Sequence, residues 1–136
     1  MKVLVIDNDP DIAELICVGL GAKGYECLSA PGGREGLRQY HRALVTPSEG
    51  APFDAVIVDI AMPDLDGYTV MQNIREVEDH SPVTPRAIIV AITGFPENER
   101  NTTILEKTGV DAYLTKPFTL DQLLSAIQPK GQPKSA

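Results

Sequence analysis

Ala55-Val56-Ile57-Val58-Asp59-Ile60-Ala61-Met62-Pro63-Asp64-Leu65-Asp66-Gly67 decides how this chain folds. Four apolar residues, mostly β-branched, run into a carboxylate, and the chain then turns through Met62-Pro63 and Asp66-Gly67. An unbroken apolar run of this length reads as a strand buried on both faces, as in a parallel sheet. Asp59 then stands at the carboxyl end of a central strand, where open α/β sheets place their ligands. An Asp at such a position can also do no more than bond its own turn. The rest of the chain decides between the two.

Toward the N-terminus, Lys2 to Ile6 repeats the apolar pattern and ends in Asp7-Asn8-Asp9-Pro10. Asp9 is a good N-cap with Pro10 at the first helical position. Ile12, Leu15, Ile16, Gly19 and Leu20 give the helix that follows one apolar face, and Gly24 stops it. Tyr25 to Ala30 reads as a second strand and Gly36 to Leu44 as a second helix, its start blurred by Pro31-Gly32-Gly33. Beyond the central strand, a helix runs from about Gly67 to Glu78 with Val70, Met71, Ile74 and Val77 inward. A fourth strand runs from Arg86 to Thr93, a helix covers 96–108, and a short strand spans Asp111 to Thr115 before Lys116-Pro117-Phe118. In the last helix Thr119 and Gln122 form a capping box, and Phe118 can staple onto Leu123. Residues 1–128 form one domain, and 129–136 read as a flexible polar tail.

Strand and helix alternate throughout, which specifies a doubly wound α/β fold: a parallel sheet with helices on both faces. The length of 136 residues suits a single domain, and the net charge of −7 argues against direct nucleic-acid binding. No apolar run nears the roughly 20 residues of a membrane span. Met1-Lys2 leads directly into a strand without signal-peptide architecture, so the expectation is a cytoplasmic protein with no membrane contact. Cys17 and Cys27, with only His41 and His80 elsewhere, do not make a zinc site and read as buried free thiols.

The residues with chemistry in them collect at strand ends: Asp7, Asn8, Asp59, Thr93 and Lys116. In a parallel sheet those ends converge. Two carboxylates together call for a cation, and hard oxygen ligands with room for water suit Mg²⁺. A lysine ammonium and a threonine hydroxyl are suited to phosphoryl oxygens, and a carboxylate can itself attack phosphorus. Each residue alone has a structural explanation: a turn for Asp7, a strand-end hydroxyl for Thr93, a solvated charge for Lys116. Their joint occurrence is the signal.

On Val5-Ile6-Asp7-Asn8-Asp9-Pro10, Val58 to Gly67, Ala91-Ile92-Thr93-Gly94 and Tyr113-Leu114-Thr115-Lys116-Pro117-Phe118, the chain resembles the receiver domain of two-component response regulators. The resemblance covers about Lys2 to Gln128 and implies a flavodoxin-like (βα)5 fold with strand order 2-1-3-4-5. It implies that Asp59 accepts a phosphoryl group from a sensor histidine kinase or histidine phosphotransfer protein. Asp7, Asn8, Asp59 and the Ala61 carbonyl would hold Mg²⁺, and Thr93 and Lys116 would bind the phosphoryl group. Tyr113 would follow Thr93 and remodel a face made by the fourth helix, fifth strand and last helix, to which an effector protein binds. The peptide bond before Pro117 would be cis.

Asn8 departs from the family pattern, which has a second acid there, and this predicts weaker Mg²⁺ binding with phosphorylation retained. Asp9 could substitute as a ligand, though its capping role competes. Ala61 has no side chain to orient an attacking water. Two rival readings accompany this one. A phosphorylation-independent receiver-like module would account for Asn8 but not for intact Asp59, Thr93 and Lys116. An aspartate-nucleophile phosphatase would use Asp7-Asn8-Asp9 but lacks an acidic pair after Lys116 and gives Asp59 no role.

Overall fold

The computed structural model describes residues 1–46, 52–80, 86–94 and 109–128. Strands β1 (Lys2–Ile6), β2 (Glu26–Ala30), β3 (Ala55–Asp59), β4 (Ile88–Thr93) and β5 (Ala112–Thr115) pair in parallel in the order β2-β1-β3-β4-β5. The helices are α1 (Pro10–Ala22), α2 (Gly33–Val45), α3 (Gly67–Asp79) and α4 (Leu120–Ala126). The helix expected over 96–108 and the tail 129–136 lie outside the described residues. Among the described residues no helix is long and apolar enough to cross a membrane.

The unbroken apolar strands follow from a sheet covered on both sides. In β1, Leu4 and Ile6 face one layer while Val3 and Val5 face the other. In β3, Val56 and Val58 join the first layer and Ala55 and Ile57 the second. Tyr40 of α2 and Val70, Met71 and Ile74 of α3 close the first layer. Ala13, Ile16 and Leu20 of α1, with Leu123 and Ile127 at the C-terminal end, close the second. Period-2 alternation therefore exists in space but not in polarity.

Three expectations need correction. Leu15 is 74% exposed, and Ala13 takes its place on the α1 inner face. Ala13, Ile16 and Leu20 are spaced by three and four residues, and Leu15 lies off that stripe. Helix α2 begins at Gly33, three residues ahead of Gly36, because its cap comes from elsewhere in the chain. The Asp64 carboxylate accepts from the amides of Gly33 and Arg34 at 3.2 Å each, which no local pattern reveals. Finally, Cys17 and Cys27 are unpaired as expected but half-buried, not enclosed.

A buried ionic cluster ties the amino-terminal ends of β4 and β5 to α3. Arg75 bonds Glu78 Oε1 at 2.7 Å, Asp111 Oδ2 at 2.7 Å and the carbonyls of Ala87 and Gly109 at 2.8 and 2.9 Å. Glu78 Oε2 accepts from the Ala87 amide at 2.6 Å and the Tyr40 hydroxyl at 3.3 Å. Asp111 Oδ2 also accepts from the Ile89 amide at 2.8 Å. Arg75 and Glu78 continue the inward stripe of Met71 and Ile74, so helical spacing alone aims these charges at the core. Saturation with hydrogen bonds is what makes their burial tolerable.

Candidate functional site

The parallel register decides which residues meet. Ile6 lies beside Val58, Asp59 beside Ile92, and Thr93 beside Thr115. Asp7, Asp59, Thr93 and Lys116 therefore line one edge of the sheet. Backbone bonds extend the ladder past the strand ends: Asp7 N to the Ala30 carbonyl at 3.1 Å, Ile60 N to that of Ile92 at 3.0 Å, and Lys116 N to that of Thr93 at 2.8 Å. The last of these fixes Lys116 against β4. Asp7, Asp59 and Thr93 are buried, and the Lys116 side chain is half-buried.

Lys116 Nζ lies 3.3 Å from Asp59 Oδ2 and 4.0 Å from Asp7 Oδ2, so one ammonium serves two carboxylates. The Ala61 amide donates to Asp59 Oδ1 at 3.1 Å, and the Asp9 amide to Asp7 Oδ1 at 2.9 Å. Asp7 Oδ2 is buried with no hydrogen-bond partner. Burial, and then the charge of Asp59, push the Asp7 carboxyl up to about 6, against the pull of the Asp9 amide and of Lys116. A buried oxygen without a donor, in a pair carrying excess negative charge, is a place for a cation. Among the described residues no group of three or more His, Cys, Asp or Glu side chains is set to hold a metal. The donor set shown is two carboxylates, hard oxygen ligands that fit Mg²⁺ with much of its water retained and not a zinc-type site.

The β3–α3 loop presents Asp59. Ile60 and Met62 are buried beneath it, and the Gly67 amide returns to the Ile60 carbonyl at 3.0 Å. A Cβ on Gly67 would sit 2.6 Å from the Asp59 carbonyl oxygen, so only glycine lets α3 start this close to the acceptor residue. Asp66 caps α3 through the Thr69 amide at 2.9 Å. Tyr113 lies in register with Ala91, half-buried against the same apolar layer as Met62. The Lys116-Pro117 peptide is cis, as the resemblance implied. Asn8 is exposed beside Asp7 in the chain.

The structure thus brings Asp7, Asp59 and Lys116 into contact and sets Thr93 on the same edge. Sequence reading missed the bond from Asp64 to α2, for which no local signal exists. It also missed Arg75 and Glu78, for which the inward stripe of α3 was a signal, and Asp111, for which there was none.

Comparison with known proteins agrees with this arrangement. The family model described as the response regulator receiver domain matches residues 3–128. A probable transcriptional regulator, ycf27 of Guillardia theta, is 33% identical over 93% of this chain and 44% of its own length. The chain spans about half the length of the first curated relatives it matches. A response regulator receiver domain protein from Clostridium thermocellum superposes with a TM-score of 0.76 at 31% identity, covering 93% of this chain and 90% of that one. The response regulator TrrA of Thermotoga maritima, solved in complex with Mg²⁺-BeF, gives 0.70 at 29% identity, covering 90% of this chain and 92% of its own. The sheet order, the strand-end carboxylates and these matches agree: the chain belongs to the response regulator receiver domain family, the receivers of two-component signal transduction.

Proposed function

We propose that Asp59 is the phosphoacceptor of this receiver and that the chain assists its own phosphorylation. The observation that carries this is the crowding of Asp7 and Asp59 onto Lys116, with Asp7 Oδ2 left without a donor. An Asp59 carboxylate oxygen attacks phosphorus, forming an acyl phosphate as the phosphorus–nitrogen bond of a phosphohistidine breaks and its imidazole keeps the electron pair. The Ala61 amide holds one Asp59 oxygen in place, and Lys116 offsets the charge that arrives with the phosphoryl group. Thr93, buried at the end of the neighbouring strand, donates its hydroxyl to a phosphoryl oxygen in this reading. Asp7, Asp59, the Ala61 carbonyl and the Asn8 amide oxygen would hold Mg²⁺. Bound there, the ion neutralises phosphoryl and carboxylate charge.

A charge near −2 on Asp59 is the input to a two-state element, with Thr93 and Tyr113 as the switch residues. The partners of this reading, in which the chain itself is cytoplasmic, are a sensor histidine kinase or histidine phosphotransfer protein and an effector protein that meets the face around β5 and α4. Direct contact of these residues with nucleic acid or membrane forms no part of it. Intact-protein mass after incubation with Mg²⁺ and acetyl phosphate tests the proposal. One added phosphoryl group, lost with EDTA and lost in Asp59→Asn, is the expected result. Phosphate release without a mass change, surviving Asp59→Asn, would point to hydrolysis at Asp7 instead.

A further inference from the structure

Cys17 and Cys27 lie ten positions apart in sequence but on the same layer of the fold. Cys27 stands in register with Val3, whose side chain faces α1, and Cys17 lies one turn beyond Ala13 on that helix. Both cysteines pack against the same apolar layer. Both line an open groove of about 600 Å³ between α1 and the edge strand β2, together with Pro10, Glu14, Val18 and Ser29. Each is half-buried and not in a disulfide.

We propose that Cys17 and Cys27 are a dithiol modification site, closed to an intramolecular disulfide by exchange with a small-molecule disulfide of the glutathione type. The order of the two exchanges follows from their surroundings. Burial, and then the hydrogen bond with Cys17, hold the Cys27 thiol well above its ordinary range, which makes it a poor first nucleophile. Cys17 therefore attacks the small disulfide and displaces one of its halves as a thiolate, leaving a mixed disulfide on the helix. Cys27 then attacks the Cys17 sulfur, displaces the second half, and gives up its proton to solvent or to that departing thiolate. Two protein thiols are oxidised and one small disulfide is reduced to two thiols. The product bridges α1 to β2, whose last residue, Ala30, accepts from the Asp7 amide.

Glutathione disulfide added to the reduced full chain tests this, with mass measured under denaturing, non-reducing conditions. The expected product is a monomer that has lost two hydrogens and carries no adduct, whereas Cys27→Ser retains one glutathione on Cys17. Oxidised wild type should also melt higher than reduced wild type, by about 5 °C, a difference that both serine variants lack. A wild type that accumulates stable glutathione adducts, links into dimers, or stays reduced while the urea-unfolded chain reacts would overturn the proposal.

Discussion

Asp7→Asn should make the metal-free protein more stable while destroying its proposed function. At neutral pH the native state holds Asp7 ionised beside Asp59, buried and with one oxygen lacking a donor. Its carboxyl moves from 3.8 to about 6 on folding, which corresponds to about 3 kcal/mol against the folded state once the group is ionised. Between those values the native state keeps a proton that the unfolded chain has lost, so stability falls as pH rises through this window and levels off above about 6. Asparagine keeps the oxygen that accepts from the Asp9 amide and turns the other atom into a donor facing Asp59. In EDTA at neutral pH the variant should melt roughly 5–10 °C above wild type, a gap that closes near pH 4, where wild-type Asp7 is itself protonated. Thermal unfolding by circular dichroism at both pH values reads this directly. A variant that melts at or below wild type at neutral pH, or a gap that does not change with pH, would refute the reasoning.

Asn8→Asp should tighten Mg²⁺ binding several-fold by restoring a negative charge, measured by calorimetric titration; equal affinities would show that Asn8 does not face the ion. Arg75→Met strands Glu78 and Asp111 in the core and should cost about 3–5 kcal/mol in urea unfolding. The triple change Arg75→Met, Glu78→Gln, Asp111→Asn should recover part of that loss, because it leaves no buried charge unpaired. Gly67→Ala drives a methyl into the Asp59 carbonyl and should cost about 1–3 kcal/mol together with slower acetyl phosphate labelling. Unchanged labelling in that variant would mean that the loop repacks without moving Asp59.

The parallel sheet and the residues at its strand ends were legible because they rest on local signals that tertiary packing leaves intact, while the strand order came from the family resemblance. Val3 to Ile6, Val56 to Val58 and Ile89 to Ile92 are apolar at every position, which only a sheet covered on both faces requires. Once the strands are parallel and adjacent, Asp7, Asp59, Thr93 and Lys116 can end at one edge only. What sequence did not show depends on partners distant along the chain. Helix α2 starts at Gly33 because of a carboxylate 31 residues away, and Leu15 gives way to Ala13 because the layer beneath α1 selects the stripe. Arg75 and Glu78 lie on the inward stripe of α3, but their partners Asp111, Ala87 and Gly109 come from elsewhere in the chain.

The bond from Asp64 to α2 bears on how receivers of this kind can be recombined. The loop that presents Asp59 also supplies the only acceptor found for the first amides of α2, among the described residues, and Gly32 and Gly33 are glycine where a Cβ would strike that loop. A chimera that swaps this loop between two receivers without swapping Pro31-Gly32-Gly33 would uncap a helix on the far side of the site. Residues 31–34 and 59–67 are therefore one unit of exchange, though α2 and the central strand separate them in the chain.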